Sequence, residues 1–213
     1  MKKKHKEVLL VIFNLYKREK YTQRFLKLIS AYRTENFLTI LIINEKNKKR
    51  LNIKNKNIKV LQSCSKKKIF GMNQIFVEIL NQKKIINKFK YICFVEDDNF
   101  IFPNSLNKFR YFLKKNSEYI ACSGDAFLFR EYKEKFLIEN PYPLINNLIE
   151  KKTDKRFLSY NGGLSYYSLI RTKYLLKILE KIKLIKDHNL SEVYFNYFLI
   201  KQGKIRKLNY LYL

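Results

Sequence analysis

Apolar residues in this chain come in short unbroken runs, and between the runs they recur at helical spacing. Residues 8–13 form a run of strand length, after which Tyr21, Phe25, Leu28, Ile29 and Tyr32 recur every three or four positions. That pattern predicts a strand, a loop and an amphipathic helix. Residues 37–43 read as a second buried strand and 58–61 as a short third one. Residues 69–80 read as a helix entered at Gly71-Met72-Asn73-Gln74, with Ile75, Phe76, Ile79 and Leu80 on its inner face. A fourth strand, 91–95, is followed by Pro103-Asn104-Ser105, which opens a helix over 106–115. Strands alternating with helices predict an α/β fold, a mostly parallel Rossmann-like sheet with helices on both faces.

Past residue 119 the rhythm changes. Residues 119–129 give another strand candidate, interrupted at Ser123-Gly124-Asp125, and 131–156 reads as irregular, with Pro141 and Pro143 arguing for a loop. Asn161-Gly162-Gly163 follows, then helices over about 171–182 and 191–202, and a closing strand from 204. Gly203 stops the last helix. No repeat or low-complexity linker divides the 213 residues, a length that suits one domain.

The fourth strand runs straight into Glu96-Asp97-Asp98-Asn99. Three consecutive carboxylates at the end of a buried strand need compensation. A divalent cation supplies it, and hard oxygen ligands suit magnesium or manganese; a solvated turn closing the strand is the alternative. The carboxyl ends of strands are where open α/β sheets place ligands. The loop 14–18, the helix start at Gly71 and the acidic cluster all fall at that edge. A crevice with carboxylates, a helix amino terminus and a basic side chain has the equipment for a nucleoside diphosphate. Neither a Walker-type loop nor Gly-x-Gly-x-x-Gly occurs to serve the phosphates instead.

Charge widens the set of partners without choosing among them. Lys and Arg number 45 against 18 Asp and Glu, a net charge of +27 whose field attracts phosphates, nucleic acid and anionic lipid. The lysines are scattered through every segment beside Asn and Ile, as a bias in genome composition would also produce. No nucleic-acid-binding motif accompanies them, so no specific nucleic-acid partner is expected. Cys64, Cys93 and Cys122 lack metal-ligand spacing and read as buried structural thiols in a reducing compartment. The apolar run after Lys2–Lys6 is too short for a signal peptide, and no stretch reaches the roughly 18–20 apolar residues of a membrane span. The expectation is a cytoplasmic protein, at most peripheral at the anionic inner face of a membrane. His5 and His188 show no partner spacing and receive no role.

In their order along the chain these features resemble the GT-A glycosyltransferases, the inverting nucleotide-diphospho-sugar transferases that carry a D-x-D motif. That family has a Thr-x-x-Asn-Arg-like loop after its first strand, here 14–18. Its acidic motif follows an apolar strand and precedes a Pro-x-Ser-Leu helix start, here 94–106. A Gly-Gly-containing strand leads to an Arg-bearing helix, here Asn161-Gly162-Gly163-Leu164 and Arg171. A Glu-Asp pair precedes a helix that stops at glycine, here Glu192-Val193 and Gly203.

The resemblance spans essentially the whole chain and implies a single GT-A domain over 1–213, with a donor half (1–115) and a mixed acceptor half (116–213). It implies a nucleotide-sugar donor, a glycan or lipid-linked acceptor, and Mn2+ or Mg2+. Donor binding falls to Asn14, Tyr16, Arg18, Glu45, Gly71, Asn73, Glu96 and Asp97, with Glu45 reading the base. Metal contact falls to Asp98 with Glu96, and acceptor binding to Asp125, Asn161, Gly162 and Gly163. Glu192 is the implied catalytic base, a helix cap behind Ser191 being its other reading. The chain departs from the family pattern at Glu96, where the motif begins with aspartate, and at Val193, where the family carries the basic aspartate. Two rival functions stand beside this one. A nucleotidyltransferase also combines such a sheet with magnesium carboxylates, but its Gly- and Arg/Lys-rich opening loop is missing. A basic nucleic-acid-binding protein accounts for the charge but not for the acidic crevice.

Overall fold

The computed structural model describes residues 7–13, 18–31, 37–43, 58–62, 72–132 and 135–213. Every residue of β1 (Val8–Phe13) is buried, as expected of a strand with neighbours on both edges and helices over both faces. Its partners are β2 (Phe37–Ile43) on one side and β4 (Tyr91–Glu96) on the other, both parallel to it, and β3 (Ile58–Gln62) lies beyond β2. The chain thus steps outward from β1 through β2 to β3 and returns across β1 to β4. Right-handed crossovers then put α1 (Glu19–Ala31) on one face and α2 (Met72–Asn81) on the other. The point where the strand order reverses lies between β1 and β4, and a crevice opens there at the carboxyl ends.

Alternation along β4 shows both faces covered. Phe94 meets Phe76 of α2 and Phe195 of α7 (His188–Gln202). Cys93 points the other way, where its Sγ lies 2.7 Å from the Tyr212 hydroxyl, and Tyr212 packs on Phe109 of α4 (Pro103–Lys115). Burial pushes the Cys93 thiol up to about 12. Cys122 is buried as well, so both thiols are the structural kind expected, and Cys64 lies outside the described residues.

The second half is mixed, with three departures from the pattern-based reading. Residues 119–129 are not one interrupted strand. β5 (Tyr119–Asp125) stays in the main sheet, whereas β6 (Phe127–Tyr132) leaves it to pair with β7 (Lys135–Pro141) as a separate ribbon. The stretch 131–156 is therefore not all loop. Pro141 sits at the ribbon's end, opposite Phe127, where a missing N–H is tolerated, and the short helix α5 (Thr153–Leu158) follows. Asn161-Gly162-Gly163 is a turn rather than part of a strand. Gly162 has φ +77°, Asn161 Oδ1 accepts from Gly163 N–H, and Gly163 passes so close to the Leu144 backbone that a Cβ would clash there.

The strand that follows, β8 (Leu169–Arg171), is antiparallel and links β4 to β5; β9 (Lys204–Leu211) closes the sheet parallel to β5. The sheet order is β3-β2-β1-β4-β8-β5-β9. α6 (Thr172–Ile182) and α7 pack on each other and on α2. No described helix is long and apolar enough to cross a membrane.

Arg171, the cation that the family pattern puts on a helix, belongs to the opposite end of the sheet from the acidic cluster. It pairs with Tyr91, five residues before Glu96, about 17 Å along a strand. Its guanidinium donates to the carbonyls of Tyr119 (2.8 Å), Asn116 (3.1 Å) and Leu113, tying the end of α4 to β5. Replacing Arg171 by Met strands those carbonyls, and urea unfolding should show a loss of about 2–3 kcal/mol with nucleotide affinity unchanged. An unmoved midpoint would mean that the three bonds contribute nothing.

Candidate functional site

Parity along β4 decides which carboxylate goes where. Glu96 shares its face with Ile92 and Phe94, the side covered by α2 and α7, while Asp97 turns inward. Asp97 is buried and accepts from the Thr22 hydroxyl of α1 at 2.6 Å, so it fastens the acidic turn to α1. The Thr22 backbone N–H donates to the Arg18 carbonyl (3.1 Å), holding the first residue of the described segment 18–31. The Arg18 guanidinium then reaches all three acids. Nη1 donates to Asp98 at 2.5 Å and to Glu96 at 3.4 Å, and it lies 3.9 Å from Asp97.

Glu96 and Asp98 open onto a cavity of about 720 Å³. Its far wall is the start of α7, with His188 and Glu192, and its sides are Tyr142, Tyr166, Tyr167 and the first residues of β6. Glu192 is brought there because Phe195, three positions later on the same helical face, stacks on Phe76 at 5.0 Å and meets Phe94 edge-on at 6.0 Å. Asn196 adds a polar anchor, its Oδ1 accepting from the Ser165 N–H and hydroxyl. Val193, in the slot where the family has aspartate, is 61% exposed and does not line the cavity.

Glu192 is no helix cap. α7 starts at His188 because the Asp187 side chain accepts from Leu190 N–H, which places Ser191 and Glu192 inside the helix, and the Ser191 hydroxyl donates to the His188 carbonyl. His188 Nε2 lies 3.3 Å from Glu192 Oε1, and Nδ1 accepts from Met72 N–H at 3.0 Å. The one sign of this in the sequence is the four-residue spacing of His188 and Glu192.

The cavity gathers Glu96, Asp98 and Glu192 on its lining together with Arg24 and Arg130, and Arg18 is bonded to two of the acids. Burial first, then Asp98 and Glu192, push the Glu96 carboxyl above its ordinary value, with Arg18 and the Tyr167 hydroxyl (3.4 Å) opposing. Burial likewise raises Glu192, and His188 opposes it. Burial also drives the phenols of Tyr166 and Tyr167 far upward, so both remain protonated donors. No three acidic, His or Cys side chains among the described residues form a ready metal cluster. Two cavity carboxylates, Glu96 and Asp98, nonetheless fit a magnesium or manganese ion, which commonly uses one or two protein carboxylates and completes its shell with phosphate and water.

The remaining sequence-derived residues are distributed as follows. Asn73 lies in the first turn of α2, its Nδ2 donating to the Lys186 carbonyl and its Oδ1 accepting from Gln74 N–H. Asp125 is ion-paired to Lys207 at 2.8 Å. Asn161 donates to the Leu144 carbonyl (3.4 Å), and none of Asn161, Gly162, Gly163, Asp125 or Asn73 lines the cavity. Asn14, Tyr16, Glu45 and Gly71 lie outside the described residues. Pattern reasoning missed His188, the tyrosines and an aromatic cluster in which Arg24 lies over Phe100 (4.5 Å) and Phe129 (5.6 Å).

No family profile matches the sequence, and no curated protein matches it. Solved structures do match in three dimensions. Residues 1–349 of TarS from S. aureus superpose with a TM-score of 0.63 at 16% identity, over 97% of this chain and 59% of that one. The fold is GT-A-like. The same TarS segment in complex with UDP-GlcNAc gives 0.61 at 15% identity, over 97% of this chain and 57% of that one. A second match, 4-diphosphocytidyl-2C-methyl-D-erythritol synthase from Anaerococcus prevotii, gives 0.51 at 10% identity, over 98% of this chain and 88% of that one. At such identities the likeness establishes the fold alone, and this chain spans about six tenths of the matched TarS length.

A carboxyl group raised in the folded state holds its proton more tightly there than in the unfolded chain. Its favourable contribution is therefore lost as pH rises through the folded pKa. Glu96→Gln should accordingly melt about 2–4 °C higher than the wild type at pH 7. The gap should close as pH falls below the ordinary carboxyl value of 4.5. Melting curves between pH 4 and 8 check this; a gap independent of pH would show that Glu96 is not a strained charge.

Proposed function

We propose that this GT-A-like chain transfers a sugar from a nucleotide-diphosphate donor to an acceptor hydroxyl, the donor half being 1–115 and the acceptor half 116–213. The observation that carries the reading is that Glu96 and Asp98 face Glu192 across one cavity at the strand-order reversal. TarS, the neighbour in fold, has been solved with UDP and with UDP-GlcNAc, which makes a uridine diphosphate sugar the first donor to try.

In this reading the diphosphate enters beside Asp98, and Arg18 turns from the carboxylates to the phosphate oxygens. A divalent ion held by Asp98 and Glu96 would supply charge neutralisation as the diphosphate leaves. Tyr167 and Thr22 keep the acidic turn in shape through Glu96 and Asp97. Glu192 takes the acceptor proton, and its burial suits the task by raising its affinity for that proton toward working pH. The tyrosines and the aromatic ribbon exclude water from the acceptor side. The acceptor would be a glycan or a lipid-linked glycan.

A second reading, nucleotidyl transfer, draws on the synthase match, which covers 88% of that chain. The two part on products: sugar transfer releases a nucleoside diphosphate, whereas nucleotidyl transfer consumes a triphosphate and releases pyrophosphate.

Two measurements test the proposal. UDP and Mn2+ together should raise the melting temperature more than the sum of their separate shifts, and Asp98→Asn should erase that excess; additive shifts would remove the ion from the site. Glu192→Gln should keep UDP binding and melting temperature while turnover falls by a factor on the order of 100. Retained turnover, or parallel loss of stability and activity, would end its role as the base.

A further inference from the structure

His188 is held from two sides at the wall of the donor cavity. Its Nδ1 accepts from the N–H of Met72, the first residue of α2. An imidazole whose Nδ1 accepts a hydrogen bond carries its single proton on Nε2. That nitrogen stands 3.3 Å from Glu192 Oε1, one helical turn away on the same face of α7. The backbone of one helix thus selects the imidazole tautomer that can donate to a carboxylate on another. With Oε1 engaged, Oε2 is the oxygen left to receive a proton.

The anchoring of α7 does not need this contact. Phe195 is buried in the aromatic cluster, Asn196 accepts from Ser165, and Asp187 caps the helix. The His188 side chain is 48% exposed, so its bonds are poorly placed to add much to stability.

We propose that His188 is the positioning residue of the acceptor-activating carboxylate: α2 sets its tautomer through Met72 N–H, and its Nε2–H holds Glu192 in register with the acceptor hydroxyl. The proposal rests on the reading of Glu192 as the base. It adds a coupling between α2, which belongs to the donor half, and the base on α7. The resemblance to known transferases does not supply that coupling, since no histidine entered it.

Two substitutions separate the halves of the contact. In His188→Asn the side-chain carbonyl can take the place of Nδ1 and keep the Met72 bond, but it is too short to reach Glu192. In His188→Gln the amide can take the place of Nε2 and donate to Glu192. With a UDP-sugar donor and an acceptor that supports transfer, His188→Asn should lower kcat about tenfold or more, with donor KM and melting temperature near wild type. His188→Gln should recover much of that loss. Wild-type kcat in His188→Asn, or a loss that tracks melting temperature in both variants, overturns the proposal.

A readout independent of turnover comes from 15N NMR of the imidazoles. The chain has two histidines, so His188→Asn assigns the signals by subtraction. His188 should show the Nε2–H tautomer, and its Nε2 shift should move in Glu192→Gln. An Nδ1–H tautomer, or no response to Glu192→Gln, sinks the positioning role even if the wild type transfers no sugar. Absence of transfer by the wild type with the expected NMR result would instead count against the glycosyltransferase reading alone.

Discussion

The aromatic contact of Phe94 with Phe76 and Phe195 is the interaction on which the site depends. A strand buried on both faces must alternate its side chains between two layers, and Phe94 commits one parity of β4 to the layer of α2 and α7. Glu96, two residues on, inherits that parity. Phe195 in turn fixes the rotation of α7, so Glu192, three residues before it, comes to the same cavity. Apolar packing thereby sets the facing of two carboxylates that would otherwise repel each other apart.

Electrostatics runs against that packing. Three consecutive acids are brought together at one strand end, and Arg18 reaches Asp98 closely but Glu96 and Asp97 only at longer range. The Thr22 hydroxyl meets Asp97, yet Glu96 remains raised by burial and by its acidic neighbours. Such an arrangement costs stability and is the kind of local conflict that folded proteins concentrate where they bind ligands. The net charge of +27 acts over longer range and does not alter this local balance.

The second half contributes walls as well as Glu192, His188 and Arg130. β6 and β7 lean out of the main sheet as a ribbon, and the turn at Gly162 and Gly163 lets the chain run beside Leu144 before Tyr166 and Tyr167 enter the cavity. Their phenols keep their protons because they are buried, and Tyr167 uses its proton on Glu96. Asp125 and Asn161, polar residues of the same half, are occupied with Lys207 and with the Leu144 carbonyl.

The sequence by itself determined the alternation of strands and helices over the first 115 residues and the acidic strand end. Each of these is local: an unbroken apolar run, a helical period, or three acids in a row survives in one dimension because it depends on neighbours a few residues apart. The reading was weaker where partners are distant. Residues 127–141 form a ribbon because β6 and β7 find each other rather than the main sheet, and a proline at a ribbon end looks, in sequence, like a proline in a loop. Ser191 reads as a cap until Asp187 is seen to bond Leu190 N–H. His188 shows only its four-residue spacing from Glu192 until α2 brings Met72 N–H to it across 116 residues of chain. Only the tertiary structure decided which acids share a cavity, because that follows from side-chain parity and helix rotation, which are fixed by packing between elements far apart in the chain.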